Sequence, residues 1–490
     1  MPYHSSNIVE RYVLEIIARS KAIQGRCTQL LSKHFASNSP KNLGKTIINI
    51  CKYLENVTNS IYTAIDLSSL KEDEIQSFMK LLQDTDYIIR ELGSHVRFID
   101  GSITQKLPWS IVKPFEKFTQ KHIPGIEIML RPQWKYNYSV VTTDLRKEYL
   151  DALAEYQDFL PDISIENNIL ENFKYPFHII SFPSLERKNI LLHCLVGHEL
   201  GHLISRQYFT KTLVDHYVLT IRDEIHKTVE KTFQKTEEPE LFLEYKKQIT
   251  RHQYIEKATV AWRRGLEEIL SDIVGTLLFG PAMIFSALEI AIQDNLDNLP
   301  STINNFYPPW RLRLREILKV IQDPSQKFIP LPNSIFSERI VECVNNQFEI
   351  IKKIVEVEDD KKRIEDNPIL KIAYREIYSH ISDAKDIFHD QLKDSIVKSH
   401  DLYTKLPHLI KRIDLGIPPN AHEENIDERE PATLIEIINA VWFHKITWED
   451  RVFDEKGVFN EDIIMKRDRM NRLTLKAIEY ADIEDDYRKK

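Results

Sequence analysis

The sequence predicts a mainly α protein with a small α+β core, and three observations carry that expectation. Long segments repeat apolar residues at three- and four-residue spacing, the period of a helix with one buried face. Only 12 of the 490 residues are glycine, well below the ~7% of ordinary proteins. Strand-like alternation is confined to residues 124–141 and to the run FHIISFP.

The elements follow in chain order. Residues 1–105 read as a helical bundle built from SSNIVERYVLEIIARSKAI, KTIINICKYLENVTNSIYTAI and EDEIQSFMKLLQDTDYIIREL. The span 106–325 reads as the α+β core: one or two strands in PGIEIMLRPQWKYNYSVV, a helix in DLRKEYLDALAEYQDFL, and a short strand in FHIISFP. That strand leads into the helix ERKNILLHCLVGHELGHLISRQYF. Residues 209–262 are highly charged, break at EEPE, and read as a helical hairpin inserted into that core. A further helix is predicted to begin at the proline pair of YPPWRLRLREILKVI. From 326 to 490 the pattern is helical again.

Composition bounds the function. Forty-two per cent apolar and 29% charged residues describe a globular chain. A net charge of −8, with both signs interleaved, gives no electrostatic footprint for nucleic acid. No glycine-rich phosphate loop occurs, which removes the common nucleotide-binding folds. The four cysteines are scattered and form no CxxC pair, as in a reducing compartment. The N-terminal stretch carries Glu10 and Glu15 within its apolar residues, unlike a signal peptide. The most apolar run, Ile273 to Leu288, is flanked by Asp272 and Glu289 and broken at Gly280-Pro281, so a buried helix is expected there and no membrane span. A cytoplasmic protein is the expectation.

Chemistry concentrates in GHELGH, residues 197–202. On a helix, positions four apart share a face, so His198 and His202 can direct both imidazoles at one ion. Glu199 sits about 100° round, able to serve as general base without ligating. A catalytic zinc takes three protein ligands and a water, whose pKa falls to about 7. The surrounding LLHCLVGHELGHLI is apolar nearly all round, and a buried His-Glu-His cluster there needs a partner. Downstream, GLEEILSD places Glu268 and Asp272 four apart on one face. Glu268 is the candidate third ligand, and Asp272 the acceptor for the free N–H of a ligand histidine. Glu267, one residue round, is expected to project toward solvent. Five of the twelve glycines fall between Gly197 and Gly280, and Gly201 is expected to let a second backbone approach closely. His193 reads as structural, and Cys194 as a packed thiol rather than a ligand.

At these residues the chain resembles the gluzincin zinc metallopeptidases, whose pattern is HExxH on one helix and Glu-x-x-x-Asp on the next. In thermolysin-like members the second motif often reads Glu-x-x-Ser-Asp; here it is Glu268-Ile-Leu-Ser-Asp272. The pair also looks like the HtpX and CAAX-prenyl-protease family, which carries a later His-Pro segment with an arginine six residues on. This chain has Tyr307 where that histidine is expected, and Arg313 at the arginine spacing. The likeness covers roughly residues 176–315. It implies a zincin-like metallopeptidase domain with a small sheet, flanked by helical domains, holding one Zn2+ ion on His198, His202 and Glu268. Glu199 would be the base, and Tyr307 and Arg313 would stabilise the oxyanion. A protein or peptide is the implied substrate, cleaved selectively, with a regulatory protein partner possible through the helical flanks. Two other readings stand beside it: a helical interaction protein with a structural zinc, and a zinc hydrolase acting on a non-peptide amide.

Overall fold

A computed structural model describes residues 2–64, 72–145, 176–212, 214–234, 236, 238–293, 295–298, 307–422, 430–456 and 461–489. The fold is mainly helical with one small three-stranded sheet. The chain divides into two compact units, Met1–Arg187 and Lys188–Lys490. This division sets the strands and the GHELGH helix in different units, whereas the sequence reading puts both in the span 106–325.

In the first unit, helices Pro2–Leu31, Ser39–Ala64 and Glu72–Gly101 pack as the periodicity predicts. Val9, Val13 and Ile16 on the first, Leu43, Ile47, Ile50 and Leu54 on the second, and Phe78, Leu82 and Ile89 on the third are all buried in one apolar core. These are i, i+3, i+4 and i+7 spacings, so each helix turns a single stripe inward. Helix Trp109–His122 then leads to strand β1, Glu127–Gln133, and strand β2, Ser139–Thr143. Strand β3, Phe177–Pro183, lies between them, parallel to β1 and antiparallel to β2. Met129 and Val141 both pair with Ile179. Every residue of β3 is buried, which is why FHIISFP reads as a continuous apolar run and not an alternating one. The helix expected over DLRKEYLDALAEYQDFL lies, after its first two residues, outside the described residues.

Among the described residues, the regular elements of the second unit are all helices. The GHELGH helix is shorter than expected: it runs Leu195–Thr212, and Ile190–Cys194 before it winds as a 3-10 turn. The tighter turn starts at Asn189, whose backbone (φ −87°, ψ 78°) is not helical. Helices Val214–Phe233 and Glu240–Phe279 form the charged hairpin, and the second continues unbroken into GLEEILSD. That helix ends at Gly280, whose φ of 61° is left-handed, and Pro281 opens the next helix, Pro281–Ala291. Asn439, from helix Leu434–Lys456, satisfies the break: its side-chain amide donates to the Phe279 carbonyl and accepts from the Ala282 N–H, both at 2.9 Å. Among the described residues no helix is long and apolar enough to cross a membrane.

Candidate metal centre

The centre is built where two helices touch backbone to backbone. Helices Leu195–Thr212 and Glu240–Phe279 run antiparallel: Gly197 meets Gly275 and Phe279, Gly201 meets Ser271, and Arg206 meets Glu267. A Cβ on Gly201 would lie 2.6 Å from the Ser271 Cα, and one on Gly275 would lie 3.0 Å from the His198 amide nitrogen. Neither space exists for a side chain. Two helices this close bring short side chains on one into direct reach of the other, which is what a metal site assembled from His and Glu requires.

His198, His202 and Glu268 converge there, all buried, with their donor atoms within 4.8 Å of one another. The two Nε2 atoms face the two oxygens of one carboxylate: His198 Nε2 is 3.4 Å from Glu268 Oε2, and His202 Nε2 is 3.6 Å from Oε1. These distances are long for hydrogen bonds, which fall at about 2.7–3.2 Å. They match the separation of about 3.3–3.4 Å between two donors that sit 2.0–2.1 Å from one tetrahedral ion. The group can therefore hold a metal ion.

Both Nδ1 atoms are occupied by carboxylates. His198 Nδ1 lies 2.8 Å from Asp272 Oδ1, and His202 Nδ1 lies 3.1 Å from Glu267 Oε1. A proton on each Nδ1 leaves each Nε2 with a free lone pair, the tautomer a metal needs. Glu267 thus departs from its expected place: it is 4% exposed, not solvated. The 100° argument treats the helix alone. With the partner helix at glycine contact, residues on both sides of the contact line reach it, and Glu267 and Glu268 each find a face of His202.

Two guanidiniums stand behind these carboxylates. Arg313, on helix Trp310–Ile321, grips Asp272 with Nε at 2.7 Å and Nη2 at 2.8 Å, and its Nη1 is 3.3 Å from Glu268. Trp310 covers the guanidinium face at 4.1 Å. These contacts make Arg313 a support for the ligands. Arg206 donates to Glu267 at 2.8 Å. Arg206 was not among the sequence candidates, although it stands four residues after His202 on the same face.

The charges explain the protonation states. Burial works against the His198 imidazolium, but the Asp272 charge and hydrogen bond, with help from Glu268, outweigh it and raise its pKa to about 10. Burial opposes the Asp272 carboxylate, yet Arg313 and His198 hold its pKa well below the usual range. Glu267 is likewise desolvated, but His202 and Arg206 pull it down to about 2. Glu199 goes the other way. It is buried and is not one of the three converging donors, and desolvation raises its pKa against the fields of His198 and His202. Four buried carboxylates (Glu199, Glu267, Glu268 and Asp272) face two guanidiniums. In the state a metal would select, with both histidines neutral and all four carboxylates ionised, two negative charges are left over, the complement of a divalent cation.

The remaining sequence candidates fall outside the donor group. Tyr307 is 51% exposed at the approach to helix Trp310–Ile321. Partial burial and the charge of Glu268, with a smaller contribution from Glu199, raise its pKa. Cys194 is buried against Ser286, and desolvation pushes its thiol up to about 12. His193 is fully buried in the 3-10 turn.

Set beside models of known protein families, curated proteins and solved structures, the chain matches none.

Proposed function

We propose that the chain is a zinc-dependent metallopeptidase of gluzincin type, a selective endopeptidase acting on protein or peptide substrates. The observation that carries this reading is the convergence of His198 Nε2 and His202 Nε2 on Glu268 at ion-bridging distances, with each Nδ1 held by its own carboxylate. Among the described residues the donor group has three members, the number found at catalytic zinc sites; structural zinc is almost always held by four.

A zinc ion on His198, His202 and Glu268 would supply Lewis acidity and acidify a water beside Glu199. The rest falls to the chain's own groups. Glu199 takes a proton at its carboxylate, and burial, by raising its pKa, favours keeping that proton until the leaving amine needs it. Asp272 and Glu267 fix the imidazole planes. Arg313 neutralises Asp272 and Glu268, so that the ligand carboxylates can stay ionised in a dry site. Tyr307 offers a hydroxyl to the oxyanion formed as the carbonyl is attacked. Four free cysteines, all buried, support a reducing, cytoplasmic setting.

Glu199→Gln tests the reading. It should keep stoichiometric zinc and the fold while peptide cleavage falls by ~10²–10⁴. New protein termini in cells expressing the native chain should be missing with the variant. One observation favours a second reading, a regulatory protein stabilised by its ion: His198, His202 and Glu268 are each more than nine-tenths buried. Under that reading zinc removal unfolds the second unit, and no new termini appear with either protein.

A further inference from the structure

The first unit contains a cavity of about 610 Å³, within the size range of small-molecule sites. Ser39, at the start of helix Ser39–Ala64, lines one side, and Lys113 and Glu116 of helix Trp109–His122 line another. Trp109 stands exposed at the rim, Phe35 adds a second aromatic wall, and Glu127 of β1 completes the polar set. None of these residues takes part in the metal centre.

Two carboxylates, Glu116 and Glu127, face a single ammonium, Lys113, in the lining. Glu116 is only 8% exposed, and its one strong counter-charge is Lys113 Nζ at 3.4 Å. A charge-assisted bond is usually about 2.7–2.9 Å, and the lysine side chain is about a third exposed, so this is a loose, replaceable pairing. Ser39 Oγ is buried and its hydroxyl lies against the Glu116 carboxylate, leaving its lone pairs to accept. Glu127 adds a second carboxylate near Glu116 and disfavours an anionic guest. A flat cation with several N–H groups complements this lining.

We propose that this cavity binds a guanidinium carried on a residue-sized body, as in a free arginine-like compound or an arginine side chain of a peptide. A guanidinium presents two parallel N–H groups to a carboxylate and stacks on an indole face. Glu116 takes the fork, Ser39 Oγ accepts a further N–H, Trp109 covers the plane, and Lys113 Nζ swings out to solvent. The volume exceeds that of a bare cation, which is why the guanidinium must be carried on a larger body.

Calorimetric titration of the full chain tests this with L-arginine amide, an N-acetylated Gly-Arg-Gly amide, and the citrulline counterpart of each. Both arginine probes, or one of them, should bind saturably, and the neutral citrulline probes should fail. Whichever arginine probe binds more tightly identifies the free or the peptide-borne source. Glu116→Gln should weaken binding by ~10-fold or more. Lys113→Ala should tighten it several-fold, since it removes the competing cation from a partly exposed position without touching the core. If Glu116→Gln fails to fold, Lys113→Ala still decides. No binding by either arginine probe, equal binding of citrulline, or weaker binding to Lys113→Ala overturns the proposal.

Discussion

The candidate metal centre has two halves of similar design and different depth. On one side stands His198, backed by Asp272 and then Arg313; on the other, His202, backed by Glu267 and then Arg206. The Arg313 side chain is 7% exposed and the Arg206 side chain 40%. The residue types are alike, but Arg313 grips Asp272 with two nitrogens where Arg206 gives Glu267 one, so depth and a firmer fork go together. In the deep half every group depends on the next, because an orphaned charge there has no water to turn to. In the shallow half solvent can replace a lost partner.

The most direct way to break the comparison is Asp272→Ala. It strands Arg313 in the interior and frees the His198 ring, and should cost about 3–5 kcal/mol along with ~10–100-fold in metal affinity. Urea unfolding and zinc content by atomic emission measure the two losses. A fully stable, fully loaded variant would remove Asp272 from its place in the site. Next in size is Gly201→Ala, which acts on both halves at once. Its methyl needs the space of the Ser271 backbone, and separating the helices should cost about 1–3 kcal/mol and lower zinc content. Retained stability with full zinc would show that the glycine contact can relax.

Glu267→Ala sharpens the contrast. Arg206 can turn to water, so the stability loss should be smaller than that of Asp272→Ala, while metal affinity still falls by ~10-fold. If Glu267→Ala destabilises as much as Asp272→Ala, depth is not the deciding variable. The same residue gives a pH test. Its folded pKa is pulled from 4.5 to about 2, so its stabilisation is fully present above about pH 4.5 and is lost as pH falls through 2. In chelator-treated protein, Glu267→Gln should therefore flatten the acid limb of stability between those values; an unchanged limb would place the titration elsewhere. The smallest effect on metal and fold is expected from Tyr307→Phe, at the exposed approach to the site. It should leave both unchanged and lower kcat by up to ~10²-fold. An unaltered kcat returns Tyr307 to the surface.

Local information in the sequence determined a good deal. Helical spacing marked the stripes Val9–Val13–Ile16 and Leu43–Ile47–Leu54, and both are buried. Spacing of four put His198 with His202, and Glu268 with Asp272, on shared faces, and these four do meet. Continuous apolar character distinguished the central strand FHIISFP, and Gly280-Pro281 marked a true helix break. All of these depend on residues within a few positions of one another. The rest was decided between segments far apart in the chain. Glu267 turned from an expected solvent residue into the partner of His202, because Gly197, Gly201 and Gly275 let two backbones touch. Arg313 became the clamp on Asp272 and Glu268 because a third helix lies against that contact. The cavity around Glu116 arises where the ends of two helices and a strand leave space between them. Periodicity says which face of a helix is buried. How closely two faces approach, and which charges that approach encloses, is set only when the helices pack.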